Sequence, residues 1–360
     1  MIKVKAYKMA IPTQFKNQLV KENFDWIIGQ TSVKKQLKSA LIMNRHVIVV
    51  GPPGIGKTTL ARNLAAILPE IEVVKDCEYH CTPDKPLCPA CIEKKKKNKN
   101  FETRKASGEQ RFIRIQGSPD LTSEDLLGDI DPLKAIKYGP LSMEAFTPGK
   151  IFKANKGVLF FDELNRCPEK LQNSLLQVLE EGCATIGSYA IDLPADFIFI
   201  GTMNPEDFAG TERLSEVFMD RFDLVYMDYP DSLKIEKEII AKSGESVDVE
   251  FPENLIDVMI EFVRTLRNSK DLERKPSVRA TIGLYERAQS NAYLSNRKKV
   301  SYEDIQDSMI SVLRHRIKLK PSIKYLKDVS AFIKEELEKF LQSNAQYRSM
   351  MASKEEGEAG

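Results

Sequence analysis

The chain has 360 residues, 42% hydrophobic and 29% charged, the balance of a globular protein with a buried core and length enough for two domains. Its 54 Lys and Arg stand against 52 Asp and Glu, a formal net charge of +2, so the chain as a whole is not a polycation built to coat nucleic acid. No stretch reaches the roughly 18 apolar residues of a membrane span, and the opening MIKVKAYKMAIPTQF lacks the apolar run of a signal peptide; a cytoplasmic protein with reduced thiols is expected.

Residues 1 to about 22 read as a polar lead-in. A helical pattern covers Thr31 to Met43, with Thr31 or Ser32 as its cap. HVIVV at His46 to Val50 is short, β-branched and stopped by a Gly-Pro cluster, the pattern of a buried strand. A helix follows from Lys57 to about Leu68. Strand-like runs recur at Phe112 to Gln116, Gly157 to Phe161, Phe197 to Gly201 and Leu224 to Tyr229. Near-continuous apolar strands spaced by helical segments predict an α/β fold, a parallel sheet sandwiched by helices. Between Cys183 and Pro194 the residues alternate around a Gly-Ser, which predicts a β-hairpin. After Pro230 strand-like runs cease, and Leu255, Val258, Met259, Phe262 and Leu266 set a helical period.

The segment GPPGIGKT, from Gly51 through Pro52, Pro53, Gly54, Ile55, Gly56 and Lys57 to Thr58, with Thr59 after it, satisfies the full phosphate-loop pattern between a buried strand and a helix. Its glycines let backbone N–H groups curl around phosphates, and the helix N-terminus adds positive potential. Lys57 is expected on the β- and γ-phosphates and the Thr58 hydroxyl on Mg²⁺. GVLFFDE ends its strand in two acids, Asp162 for Mg²⁺ and Glu163 to polarise an attacking water. Alone, that pair reads equally well as a solvated strand end; the phosphate loop tips the balance. A third strand ends in TMNP, where Asn204 either orients the water or caps a turn.

The set GPPGIGKT, LFFDELNR, GTMNP, MDRFD and PSVRA, in this order, resembles an AAA+ ATPase, more narrowly the MoxR group and the ATPase subunit of magnesium chelatase, over roughly residues 20 to 320. The resemblance implies a P-loop NTPase core at 23–230, carrying a four-cysteine insert at 77–91. A smaller all-helical lid domain is expected at 231–342 and a disordered tail at 343–360. It implies ATP as the nucleotide, and a hexameric homo-oligomeric ring with ATP between subunits. It implies Asn204 as a γ-phosphate sensor, Arg221 acting on the neighbouring subunit's nucleotide, and Arg279 on the γ-phosphate. Arg166 and Arg213 are weaker candidates. For each arginine the plainer reading is a surface ion pair. FDWIIGQ at Phe24 to Gln30 resembles the adenine-packing segment, through Ile27, Ile28 and Gly29. Asp131 to Gly149 resembles an insertion in helix 2.

Cys77, Cys81, Cys88 and Cys91 are spaced C-x3-C-x6-C-x2-C, which suits one tetrahedral Zn²⁺, with His80 as a substitute ligand. Free thiols, two disulfides or an iron–sulfur cluster are the alternatives. Cys167 and Cys183 read as buried small hydrophobes. KKKKNK at Lys94 to Lys99 reads as a solvated loop before a nucleic-acid contact, since no aromatic residue is interleaved. The role the resemblance implies is ATP-driven remodelling or metal-insertion work on a partner protein, typically one with a von Willebrand A-type domain. An MCM-like nucleic-acid motor and a nucleotide-binding switch without turnover are the competing readings.

Overall fold

The computed structural model describes residues 12–140, 142–185, 192–205 and 214–344. Its contacts divide the chain into two units, residues 1–51 with 56–227 and residues 52–55 with 228–360.

In the first unit, α1 (Thr13–Lys21) and α2 (Thr31–Ile42) precede β1 (His46–Val50) and α3 (Lys57–Ala66). Then come β2 (Ile71–Val74), α4 (Pro89–Lys96), β3 (Thr103–Ala106), β4 (Phe112–Gln116), α5 (Ser123–Leu127), β5 (Gly128–Ile130), α6 (Pro132–Tyr138), β6 (Phe146–Pro148) and α7 (Lys150–Lys153). The unit continues through β7 (Val158–Asp162), α8 (Glu169–Glu181), β8 (Cys183–Thr185), β9 (Asp192–Pro194), β10 (Ile198–Met203), α9 (Glu216–Met219) and β11 (Phe222–Tyr226).

Five of these strands form one sheet in the order β11-β1-β10-β7-β4, every neighbouring pair parallel. β1, β7 and β10 are buried almost throughout, which is why their sequences are runs of Val, Ile, Leu and Phe with no polar alternation. Phe161, Phe199, Phe222 and Phe218 form a run of ring contacts from β7 and β10 to the edge strand β11 and α9. Chain order and sheet order disagree at β1, whose chain neighbour β4 lies at the far edge while β10 lies beside it. Such a switch point leaves a crevice at the carboxyl ends of the strands, where ligands bind in sheets of this kind.

Three antiparallel pairs decorate the core: β2 with β3, β5 with β6, and β8 with β9. The last is the hairpin expected between Cys183 and Pro194; its turn lies outside the described residues. The lead-in needs correction. α1 buries Phe15 and Leu19, a spacing of four that sets one helical face in otherwise polar sequence. α2 is not capped by Thr31 or Ser32: Gln30 sits at the N-cap in the left-handed region and gives no side-chain cap.

In the second unit, α10 (Leu233–Ser243), α11 (Glu253–Asn268), β12 (Leu272–Arg274), α12 (Val278–Leu294), α13 (Tyr302–Leu313), β13 (Lys318–Leu319), α14 (Pro321–Lys324) and α15 (Val329–Ser343) follow in order. α11 buries Val258, Met259, Phe262, Val263 and Leu266, a stripe at helical period. The unit is not purely helical, since β12 and β13 pair antiparallel. Among the described residues, no helix is long and apolar enough to cross a membrane.

Candidate functional site

β1 hands the chain to the phosphate loop at Gly51. The entry is pinned on both sides: Gly51 N donates to Met203 O at 3.1 Å, and Met227 N donates to Val50 O at 2.8 Å. Gly56 has φ +100°, a conformation other residues rarely adopt, although a Cβ there meets only ordinary contacts with Met227 and Ile27. Backbone, not space, therefore demands glycine. The contact also brings Ile27 of the FDWIIGQ segment to the loop. Gly56 is the N-cap of α3 and offers no side chain, so the first-turn N–H groups keep their anion-binding capacity. Lys57 opens α3 and donates its ammonium to Gly51 O across the loop. Thr58 is half-buried and Thr59 exposed.

The loop tip, Pro52 to Ile55, groups with the second unit. Gly54 has φ +74°, and a Cβ there would come 2.9 Å from Ser277 Oγ and 3.1 Å from Arg279 Cδ. Arg279 lies in the first turn of α12. The start of α12 is fixed from below: Arg267, buried, donates through Nε to Pro276 O at 2.9 Å and through both terminal nitrogens to Glu236 at 2.7 and 2.6 Å. Thr281 donates to the same carboxylate at 2.6 Å, and Glu236 is fully buried.

Asp162 ends β7, and Glu163 follows at φ +53°, a left-handed backbone uncommon for a residue with a Cβ. Two neighbours impose it. Thr202 on β10 donates its hydroxyl to Asp162 Oδ1 at 2.6 Å and accepts from Glu163 N at 2.9 Å. Gly117 passes so close that a Cβ would lie 2.1 Å from Glu163 O. β4, on the other side, restrains the side chains. Arg114 donates to Asp162 Oδ2 at 2.6 Å, and Gln116 donates to Glu163 Oε2 at 2.8 Å. Arg166 Nε lies 3.2 Å from the same Glu163 oxygen.

Because β10 separates β1 from β7, Asn204, one residue beyond β10, leaves the sheet between the phosphate loop and the acidic pair. Arg221 is placed elsewhere. Its bonds go to Glu180 at the end of α8 and to Asp220 at 3.3 Å, and the hydrogen bond to Glu180 raises its pKa further. It precedes β11, whose Phe222 pairs with His46 at the start of β1, whereas Gly51 follows the other end of β1. Arg213 lies outside the described residues. Thr202, Arg114, Gln116 and Gly117 were not singled out by sequence; Thr202, Gln116 and Gly117 lie at or next to strand ends, while Arg114 sits mid-strand opposite Phe160 and reaches Asp162 with its long side chain.

The four cysteines converge. Their sulfurs all lie within 4.8 Å of one another and all four are buried free thiols. Cys77 Sγ to Cys88 Sγ is 3.8 Å, and Leu87 N and Cys88 N donate to Cys81 Sγ at 3.1 and 3.2 Å. Hydrogen bonds from Cys81, then Cys88 and Cys91, pull the Cys77 pKa far below the usual thiol range. His80 stands apart from the sulfurs, with Nδ1 3.0 Å from Lys153 O, and burial lowers its pKa. Cys167 is buried, as expected; Cys183 is only partly so, because it starts the peripheral β8–β9 pair. Lys94 to Lys99 are exposed, with Lys97 paired to Glu93.

Three family models match the chain in succession. Residues 23–98 match "Magnesium chelatase, subunit ChlI". Residues 92–224 match "ATPase family associated with various cellular activities (AAA)", and residues 264–335 match "AAA lid domain". The magnesium-chelatase subunit ChlI homolog of Methanocaldococcus jannaschii is 29% identical over 333 residues, 83% of this chain and 86% of that protein. An uncharacterized protein of Bacillus subtilis, YeaC, is 27% identical over 322 residues, 83% of this chain and 85% of that protein. Among solved structures, the complex between subunits BchI and BchD of magnesium chelatase aligns at 21% identity and a TM-score of 0.48, covering 84% of this chain and 98% of that chain. With a phosphate loop, an acidic strand end and a lid matched in order along one chain, the protein belongs to the AAA+ ATPases, in the group that takes in the magnesium-chelatase ATPase subunit.

Proposed function

We propose that the chain is a Mg²⁺-dependent ATP hydrolase that turns over at the interfaces of a hexameric ring and works on a partner protein in the cytoplasm. The observation that carries this reading is the Thr202 hydroxyl, on the strand beside the phosphate-loop strand, which ties Asp162 to the backbone of Glu163 at the end of the next strand. A solvated strand end needs no such buried clamp, whereas an acidic pair with two separate tasks does.

The residues present fit Mg-ATP. The loop from Gly51 to Gly56 offers glycine-permitted backbone and an uncapped helix start, and Asp162 offers carboxylate oxygens at the end of β7, one strand beyond β10. Bound Mg-ATP supplies the phosphoryl group and the charge that the site must offset. In this reading Thr58 and Asp162 hold the ion. Lys57 and Arg279 balance charge on the phosphoryl oxygens, Glu163 takes the proton of the attacking water, and Asn204 orients that water. Arg221 serves the nucleotide of the adjacent subunit, which agrees with its place beside the start of β1 rather than the end that leads to Gly51. The four thiols hold a separate, structural Zn²⁺.

The partner is inferred from the family group: a von Willebrand A-type protein, remodelled or assisted in metal insertion. The LNR that follows the acidic pair favours the MoxR side of the group. Lys57→Ala tests the site directly. Loss of ATP binding in a folded protein supports the assignment; retained affinity defeats it.

A further inference from the structure

The insert between β2 and β3 has almost no core of its own. α4 buries only Cys91, and what the insert otherwise encloses is Leu87, His80 and the other three cysteines. A segment this poor in apolar burial needs a cross-link to hold a shape. The sulfur geometry supplies one. The 3.8 Å between Cys77 and Cys88 Sγ equals the edge of a tetrahedron whose centre lies about 2.3 Å from each corner, the Zn–S distance. Cys88 is the N-cap of α4 and Cys91 lies in its first turn, while the N–H groups of Leu87 and Cys88 point at Cys81 Sγ as a second shell.

The three residues between the first two ligands all reach out of the insert, and all reach the same place. Tyr79 donates its hydroxyl to Pro148 O at 3.0 Å. His80 Nδ1 meets Lys153 O at 3.0 Å, and Glu78 accepts from Lys153 Nζ at 2.7 Å. Asn155 closes the set by donating to Tyr79 O at 3.2 Å and His80 O at 3.3 Å. Pro148 ends β6, which pairs with β5; between them sits α6, which buries no residue and exposes Leu133 and Ile136. The β5–β6 hairpin is anchored to the core by Phe146, while α6 adds no buried residue, and the hairpin's root is bonded to the first ligand loop of the thiol cluster.

We propose that one Zn²⁺ on Cys77, Cys81, Cys88 and Cys91 is the strut that holds the β5–β6 hairpin and α6 in place, so that the metal governs the order of this projection rather than the nucleotide site. The proposal rests on the zinc reading above and is independent of ATP hydrolysis. Without the ion the Cys77–Cys81 loop loses its fixed shape, and the bonds at Pro148 and Lys153 go with it.

The test uses the full chain and two readings. Elemental analysis, with Co²⁺ substitution for the absorption of a tetrahedral thiolate site, measures the metal. Hydrogen exchange measures segments 77–96, 128–148 and 46–60. One zinc per chain is expected. Its removal from the wild type by chelation should speed exchange about tenfold or more in 77–96 and 128–148 while 46–60 stays unchanged. Tyr79→Phe should keep the zinc and speed exchange in 128–148 alone. Absence of bound zinc in folded protein overturns the metal reading and the strut with it. Bound zinc whose removal leaves 128–148 as slow as before overturns the strut and leaves the metal reading intact. Chelation needs no variant, so a misfolding cysteine substitution does not block the test.

Discussion

Gln116 donates to Glu163 Oε2 over 2.8 Å, from the strand next to the one that carries the acid. The same oxygen also faces Arg166 at 3.2 Å. A carboxylate held by two donors is less free to turn toward a water. Gln116→Ala should therefore raise basal ATP hydrolysis, by about fivefold if one hydrogen bond of about 1 kcal/mol is released. Steady-state phosphate release decides the matter; a fall in rate with ATP binding unchanged would mean that Gln116 assists Glu163.

Thr202 is almost fully buried and serves two partners with one hydroxyl. Thr202→Val keeps the shape and strands both Glu163 N and Asp162 Oδ1. The expected cost is about 1–3 kcal/mol of stability, read by chemical denaturation. Hydrolysis should drop more than ATP affinity, because Asp162 and Glu163 lose their shared clamp, and Thr202→Ser should restore most of both. A valine variant as stable and as active as the wild type would remove Thr202 from the site.

These contacts show what a sequence reading reaches. GPPGIGKT and LFFDE are contiguous, so their spacing alone places a loop after one strand and acids at the end of another. Thr202, Arg114 and Gln116 act through sheet register, Gln116 opposite Asp162 and Gly201 opposite Phe161, and no local pattern carries register between strands forty residues apart. The four cysteines were legible from spacing, but the β2–β3 frame was not. Its second strand, TRKA, is mostly polar and takes its conformation from pairing with β2. α1 escaped for a related reason, since two apolar residues define its face.

In the second unit, Glu236 is fully buried and is held by Arg267 and Thr281, with Arg264 3.7 Å away. Arg267→Ala leaves that carboxylate with only the more distant Arg264 charge at 3.7 Å and should cost about 3 kcal/mol. Replacing both partners, Glu236→Leu with Arg267→Met, should recover much of it, since the stranded charge is gone. Thermal unfolding of the two variants beside the wild type checks the order; an Arg267→Ala variant as stable as the wild type contradicts it.

His46 opens β1 with its ring edge-on to Phe199, and burial pushes its pKa down to about 4, with Arg45 lowering it further against a backbone hydrogen bond at Leu179. The unfolded histidine titrates near 6.5, so between that pH and about 4 the unfolded chain binds the extra proton. Folding stability should fall as pH drops through this window, by about 3 kcal/mol from this residue. His46→Gln should flatten the decline relative to the wild type; an identical pH profile in the two proteins would refute the assignment.

The central claim is that Glu163 serves hydrolysis and not the binding of ATP. Titrating Mg-ATP into Glu163→Gln and measuring its turnover beside the wild type tests this most directly. The expected result is ATP affinity close to wild type with turnover lowered by about a hundredfold or more. Turnover at the wild-type rate in the variant would contradict the account.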